Sequence, residues 1–400
     1  MAQVPISARP QVFYIRPAPG WLDLCHKEVL SRIATPFQKY KFEPKVTLLK
    51  STVKVHRCDW RQGLELMLRL NTAHDVEWMI LESKCNQWSE VDAILERIPW
   101  EEIIPDKSLP IHVTADVSNG FTSASGKLRD NLCKISGLKH VSEGAIFRFK
   151  IELRSDFLRV SVSLCGDPLY KRGYKAKLTA LAPLPEHQAA ACASWPLELM
   201  SPEEKIKNIY IPFAGSGTLG FESLIVMAGT GSGAFSRPFS CDLFPCTSRA
   251  TMSFFRKKLS EQFNKTEYPQ IIFNELNQES SETLEENAKL FLKDGRYEIV
   301  RGDFFDCIPK FSSSGPLLIL LNPPFGERLA RNSTISNLYR RIGKHLRAFY
   351  EVYGNSIIGG CLCPDSQTWK NFIAELRTDC IETHHFTHGG KEMRLVRWRF

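Results

Sequence analysis

PLLILLNPPFGERL, Pro316 to Leu329, changes character at its centre. Leu317 to Leu321 is an unbroken apolar run, the pattern of a buried strand, and it stops at Asn322-Pro323-Pro324-Phe325, followed by glycine and charge. Two consecutive prolines fix φ and supply no N–H. They also push the residue before each toward extended backbone, so no strand continues through them. The carbonyls of Asn322 and Pro323 are left pointing away from the sheet. With the Asn322 amide oxygen added, two acceptors converge where an amine can donate both hydrogens, and Phe325 offers a ring face to a planar base. Such a site holds an exocyclic amino group and leaves its lone pair free.

Three upstream segments also run from an apolar strand into a polar tip. Ile209 to Glu222, IYIPFAGSGTLGFE, places Gly215 and Gly217 where backbone must come close to a ligand. No lysine follows the last glycine, so this is not a P-loop. Within Ile271 to Asn277 the strand ends in Glu275, a carboxylate able to accept two ribose hydroxyls. Tyr297 to Arg301 leads into Gly302-Asp303-Phe304-Phe305. Taken alone, each acid reads as a loop cap. In chain order at successive strand ends, the four tips follow the crevice rule for open α/β sheets.

NPPF at a strand end resembles the [NDS]-PP-[YFW] motif of S-adenosylmethionine (SAM)-dependent amino-methyltransferases. IPFAGSGT resembles their motif I, DPFxGSGT, which implies cofactor contacts from Pro212, Phe213, Ala214, Gly215, Ser216, Gly217 and Thr218. Ile211 stands where that motif has an acid, which predicts a weaker hold on the cofactor's amino group. Glu275 and the later Asn287-Ala288 resemble the family's SDxDxxxxxxxxxNA, with Glu275 one methylene longer than the usual Asp and Asn277 replacing a second acid. The resemblance implies that Glu275 holds the ribose, Asp303 reads the adenine amine and Phe304 lines the ring. Ala182-Pro183-Leu184-Pro185-Glu186 is similar to APLxE, implying that Glu186 opens a helix against the cofactor; a plain helix-dipole role is the alternative. DPLYKRGYKAK, Asp167 to Lys177, resembles the KRGYR segment preceding the catalytic domain of RlmL-type 23S rRNA guanine-N2 methyltransferases.

That resemblance implies a class I, Rossmann-like α/β domain with a mixed seven-stranded sheet. The implied reaction is direct methyl transfer from SAM to a guanine amine, with no metal. Asn322, Pro323, Pro324 and Phe325 are the implied catalytic group, Asn322 also touching the cofactor. Upstream, the element order resembles a THUMP domain with a ferredoxin-like companion, and FRFKIELR and LRVSVSL alternate as an antiparallel hairpin. The expected division is residues 1–70 ferredoxin-like, 71–177 THUMP-like and RNA-binding, and 178–400 methyltransferase. Gly229 to Gln270 reads as an irregular insertion over the sheet edge, its Phe254 to Lys258 run a candidate substrate contact.

The formal charge of +8 permits a nucleic-acid partner, with rRNA expected and tRNA the alternative. Candidate RNA contacts are Lys171, Arg172 and Lys175 at the junction, Arg328 beyond the proline loop, and Arg340, Lys344 and Arg347 on an amphipathic helix with Arg341 nearby. Twelve cysteines without a CxxC pair argue for reduced thiols. With no apolar run long enough for a membrane span and no secretory core at the start, the expected location is cytoplasmic. Two other readings stay open: an adenine-N6 nucleic-acid methyltransferase, and an RNA-binding or ribosome-assembly protein whose catalysis has weakened. A protein glutamine methyltransferase is a third, for which NPPY is usual.

Overall fold

The run Leu317 to Leu321 forms a strand with every residue buried. In the computed structural model a parallel strand flanks it on each side. An interior parallel strand has no solvent face, which is why its sequence is apolar without alternation. The structure describes residues 8–118, 124–154, 156–175, 184–292, 297–324, 332–364 and 367–400. It forms two units: residues up to Pro17 with Cys25–Lys171 and Ser232–Ser260, and Ala18–Leu24 with Arg172–Gly231 and Glu261–Phe400.

In chain order the first elements are β1 (Gln11–Pro17), α1 (Leu22–Ala34), β2 (Lys45–Leu48), β3 (Val53–Cys58), α2 (Trp60–Arg69), β4 (Ala73–Lys84), α3 (Val91–Leu95), α4 (Trp100–Ile103), β5 (Ile111–Val117), α5 (Ser125–Ser136), β6 (Phe147–Leu153) and β7 (Phe157–Ser163). There follow α6 (Glu186–Leu197), β8 (Asn208–Pro212), α7 (Thr218–Met227), α8 (Arg249–Lys265), β9 (Gln270–Glu275), α9 (Gln278–Phe291), β10 (Tyr297–Arg301), β11 (Leu317–Leu321), α10 (Asn332–Tyr353), β12 (Ile357–Pro364), α11 (Gln367–Leu376), β13 (Cys380–His388) and β14 (Lys391–Arg399).

The first unit is built on a sheet in the order β2-β3-β1-β4-β7-β6-β5. β6 and β7 pair antiparallel from Phe149 opposite Val162 to Leu153 opposite Leu158, as period-two alternation predicts. A division at residue 70 falls inside this sheet, because β4 bonds to β1 along one side and to β7 along the other. Residues on either side of that division therefore share one sheet.

Residues 232 to 260 cluster with this first unit, which differs from the expected 178–400 grouping. Long-range aromatic packing is the reason. Phe244 is buried with its ring 5.4 Å from Phe147 and 5.9 Å from Trp78. Nor is the stretch irregular throughout: α8 buries Met252, Phe255 and Leu259 at helical spacing. Of the aromatic and basic run expected to meet substrate, Phe255 is core and Arg256 binds Asp242 at 2.9 Å.

The second unit holds a sheet in the order β10-β9-β8-β11-β12-β14-β13. Its first five strands run parallel, while β14 pairs antiparallel with β12 and β13. The chain leaves β8 for β9 and β10, then returns to β11 on β8's other side, so a crevice opens at the carboxyl ends of β8 and β11. α10 covers β11 with an apolar stripe, Tyr339, Ile342 and Leu346, which shares one core with Leu317, Ile319 and Leu321. Each such fully buried aliphatic side chain contributes about 1.5–3 kcal/mol. This rigid sheet fixes where the four strand tips stand.

Candidate active site

β8 ends in a turn that only an unusual backbone can make. Phe213 has φ of 54°, an uncommon state for a bulky side chain that persists where the surroundings impose it. Gly215 and Gly217 follow at φ 53° and 88°, where a side chain is disfavoured. A Cβ on Gly217 would meet Leu284 and Phe221 at 2.6 and 2.7 Å, while the space over Gly215 is open. Gly217 thus lets the loop sit down on α9, and Gly215 presents bare backbone. The Asn287 amide of α9 reaches the Ser216 carbonyl at 3.4 Å.

The tips of β9 and β10 are tied to that loop by side chains. Glu275 accepts from the Gly215 N–H at 2.7 Å with one carboxylate oxygen and from the Asn277 N–H at 2.8 Å with the other. Asn277 caps α9, its Oδ1 accepting from Ser280 N–H at 2.8 Å. Asn caps a helix as well as Asp does, so the lost acid there costs the helix little. Asn274 donates to the carbonyls of Val300 and Gly302 at 3.1 and 3.0 Å, joining the two tips. Asp303 accepts from Phe305 N–H at 3.0 Å.

Asn322 directly follows β11 and faces the same space. Its Oδ1 is buried and has no hydrogen-bond partner among the described residues. Phe304 stands opposite as a buried wall, packed on Phe213 at 5.2 Å and on His345 of α10 at 4.6 Å. Burial holds the His345 imidazole below its ordinary pKa, and Arg341 adds to that while Asp303 and Asp306 oppose it.

A cavity of about 610 Å³ collects these groups. Among predicted residues, Phe213, Ala214, Gly215, Ser216, Thr218, Glu275, Asp303, Phe304, Asn322 and Pro324 line it. Pro212 and Pro323 are buried next to lining residues, and Gly217 is the N-cap of α7. Ile211 is wholly buried in β8 and adds packing, not charge. Asn274, Leu276 and Gln278 also line the cavity and were not singled out from sequence; position directly before or after Glu275, and at the start of a helix, was the available signal.

Residues 183–393 match the family model described as RMKL-like, methyltransferase domain, which is more than half of the chain. The chain belongs to this methyltransferase family. A ribosomal RNA large subunit methyltransferase K/L of Syntrophotalea carbinolica is 26% identical over 310 residues, 70% of this chain and 41% of that protein. Its counterpart in Hydrogenovibrio crunogenus is 27% identical over 358 residues, 85% of this chain and 47% of that protein. The chain therefore spans less than half the length of either relative. The solved structure of SMU.472 in complex with SAH has the same fold, with a TM-score of 0.76 at 18% identity, covering 98% of each chain. The second unit carries the class I methyltransferase fold.

Packing engages several residues that were expected at the site. Arg172 is 1% exposed, with Nη2 3.2 Å from Glu222 of α7, which also accepts from the Tyr174 hydroxyl at 2.9 Å. A buried carboxylate requires such partners, so Arg172 is structural and does not face RNA. Lys175 is likewise committed, its Nζ 2.7 Å from Glu186 with both side chains largely buried. Glu186 opens α6 but is turned to Lys175 and does not line the cavity. Lys171 is exposed beside Asp167 at 3.2 Å. Arg340 and Lys344 are exposed, and Arg347 pairs with Glu351 at 3.0 Å. Phe325 and Arg328 lie outside the described residues.

Proposed function

We propose that this methyltransferase transfers the methyl group of S-adenosyl-L-methionine to the N2 amine of a guanine in 23S-type ribosomal RNA. The observation that carries the reading is Asn322 Oδ1, a buried acceptor without a partner among the described residues, in one cavity with Gly215, Glu275 and Asp303. An unmade hydrogen bond at a buried group costs roughly 1–3 kcal/mol and calls for an explanation. An incoming N–H donor supplies one. The K/L relatives are named for large-subunit rRNA, and SMU.472 holds SAH, the demethylated form of the cofactor.

The residues fit the cofactor. Bare backbone at Gly215, with open space where a Cβ would stand, suits its methionine end; Glu275 suits the ribose, and Asp303 with Phe304 suits the adenine. When bound, SAM supplies an electrophilic methyl group. Asn322 Oδ1 and the Pro323 carbonyl accept the two amine hydrogens and orient the lone pair. As nitrogen gains positive charge these two bonds strengthen, so they favour the transition state over the neutral amine. The methylated nitrogen then gives one proton to water. Phe325 stacks on a base turned out of its helix, because a paired amine is otherwise engaged.

The first unit acts as a THUMP-like RNA-binding region, in keeping with its element order and the chain's positive charge. Among the described residues no helix is long and apolar enough to cross a membrane, and the reaction is assigned to the cytoplasm with its ribosomal substrate. The test is methyl transfer from labelled SAM to deproteinised rRNA, followed by nucleoside analysis. N2-methylguanosine is expected. N6-methyladenosine would replace the guanine assignment, and SAM binding without any transfer to RNA would overturn the reading.

A further inference from the structure

The wall behind Phe304 continues outward to a cation. Phe305 packs on Phe304 with ring centroids 5.2 Å apart, and the Arg341 guanidinium of α10 lies over the Phe305 ring at 4.0 Å. His345, one turn further along α10, sets its edge against both rings at 4.6 and 5.6 Å. Residues four apart share a helix face, so Arg341 and His345 pack on this wall together. Phe304 itself lines the cavity.

Arg341 differs from the two other arginines of α10 beside it in having no carboxylate partner among the described residues. Arg340 leans toward Glu375 at 3.9 Å, and Arg347 holds Glu351. Arg341 is exposed, and among the described residues its contact is the ring of Phe305, with no carboxylate within ion-pair distance. A guanidinium over an aromatic ring keeps its charge and its fork of N–H donors. Its direction is set beforehand, so less rotamer freedom is lost on binding. Such a group suits a phosphodiester, which accepts two parallel N–H bonds. A nucleotide turned into the cavity leaves its flanking phosphates at the rim, where they fix strand register.

We infer that Arg341, held on Phe305, clamps a backbone phosphate of the RNA strand next to the target nucleotide. The inference rests on the RNA reading above. Its test uses the full chain and a short single-stranded oligoribonucleotide, with binding followed by fluorescence anisotropy over a range of salt. SAM affinity is measured separately by calorimetry. Arg341→Gln is expected to weaken RNA binding roughly tenfold and to lessen the salt slope by about 0.7, one phosphate on a single strand. SAM affinity stays at the wild-type value. Arg341→Lys keeps the charge and the slope but recovers only part of the affinity, and Phe305→Leu weakens binding with the slope intact. A wild-type slope and affinity in Arg341→Gln overturns the clamp alone. SAM affinity falling in step with RNA affinity also overturns it, since Arg341 is then a brace for the cavity wall. Wild-type protein that binds SAM but not RNA, or that prefers duplex DNA, overturns the RNA reading with it.

Discussion

The tips of β8, β9 and β10 and the tip of β11 face one cavity, but they are finished differently. On the first side the polar groups are already engaged: Glu275 holds Gly215 and Asn277, Asn274 joins the tips of β9 and β10, and Asn277 caps α9. On the other side Asn322 Oδ1 is buried without a partner among the described residues. The difference separates binding from reaction. Groups that shape a pocket gain from being locked in place before a ligand arrives. A group that must meet developing charge keeps its acceptor open, at a cost to stability.

The largest effect that divides the two sides is expected from Asn322→Ala. Turnover falls about a hundredfold to a thousandfold, the range for loss of one transition-state hydrogen bond, while SAM affinity measured by calorimetry hardly moves. The variant is also as stable as the parent or more so, because an unsatisfied buried acceptor has gone. Equal losses in turnover and SAM affinity would erase the distinction. Glu275→Ala attacks the engaged side. Releasing two backbone N–H groups from a carboxylate is expected to weaken SAM binding about tenfold to a hundredfold, with turnover at saturating SAM much less affected.

Smaller effects sharpen the same contrast. Asn277→Ala removes the α9 cap and is expected to lower stability by about 1 kcal/mol, whereas Asn277→Asp stays within a few tenths; denaturant unfolding checks both. If Asp instead raised SAM affinity strongly, position 277 would belong to binding and not to capping. The smallest effect concerns His345, whose pKa burial holds below the ordinary value. Its neutral form favours the folded state, so its contribution is complete above the unfolded pKa of about 6.5 and is lost as pH falls through the folded value. Unfolding midpoints of His345→Gln should therefore decline less toward acid than those of the wild type. Parallel declines would mean that His345 is not the group responsible.

Much of the site could be read in the sequence because it is local. A buried parallel strand must be apolar, and a strand tip that approaches a ligand needs glycine, a carboxylate or a rigid turn within a few residues. LLILL before NPPF, and IYIPF before AGSGT, carry that information in consecutive positions. Sequence therefore determined which strands carry the tips, their order along the chain and the chemistry offered at each, while the seven-stranded sheet was implied by the resemblance.

Tertiary structure decided which polar groups are left over. KRGYK reads as a basic surface, yet Arg172 is sealed against Glu222 and Lys175 against Glu186, partners that only folding brings near. Residues 232 to 260 lack one continuous period, and Phe244 among Trp78 and Phe147 assigns them to the first unit. Arg341 and Arg340 are neighbours in sequence with the same charge, but the helix turns one onto Phe305 and the other toward Glu375. Charge is a property of the residue; whether that charge is spent on a partner or kept for a ligand depends on contacts between distant segments.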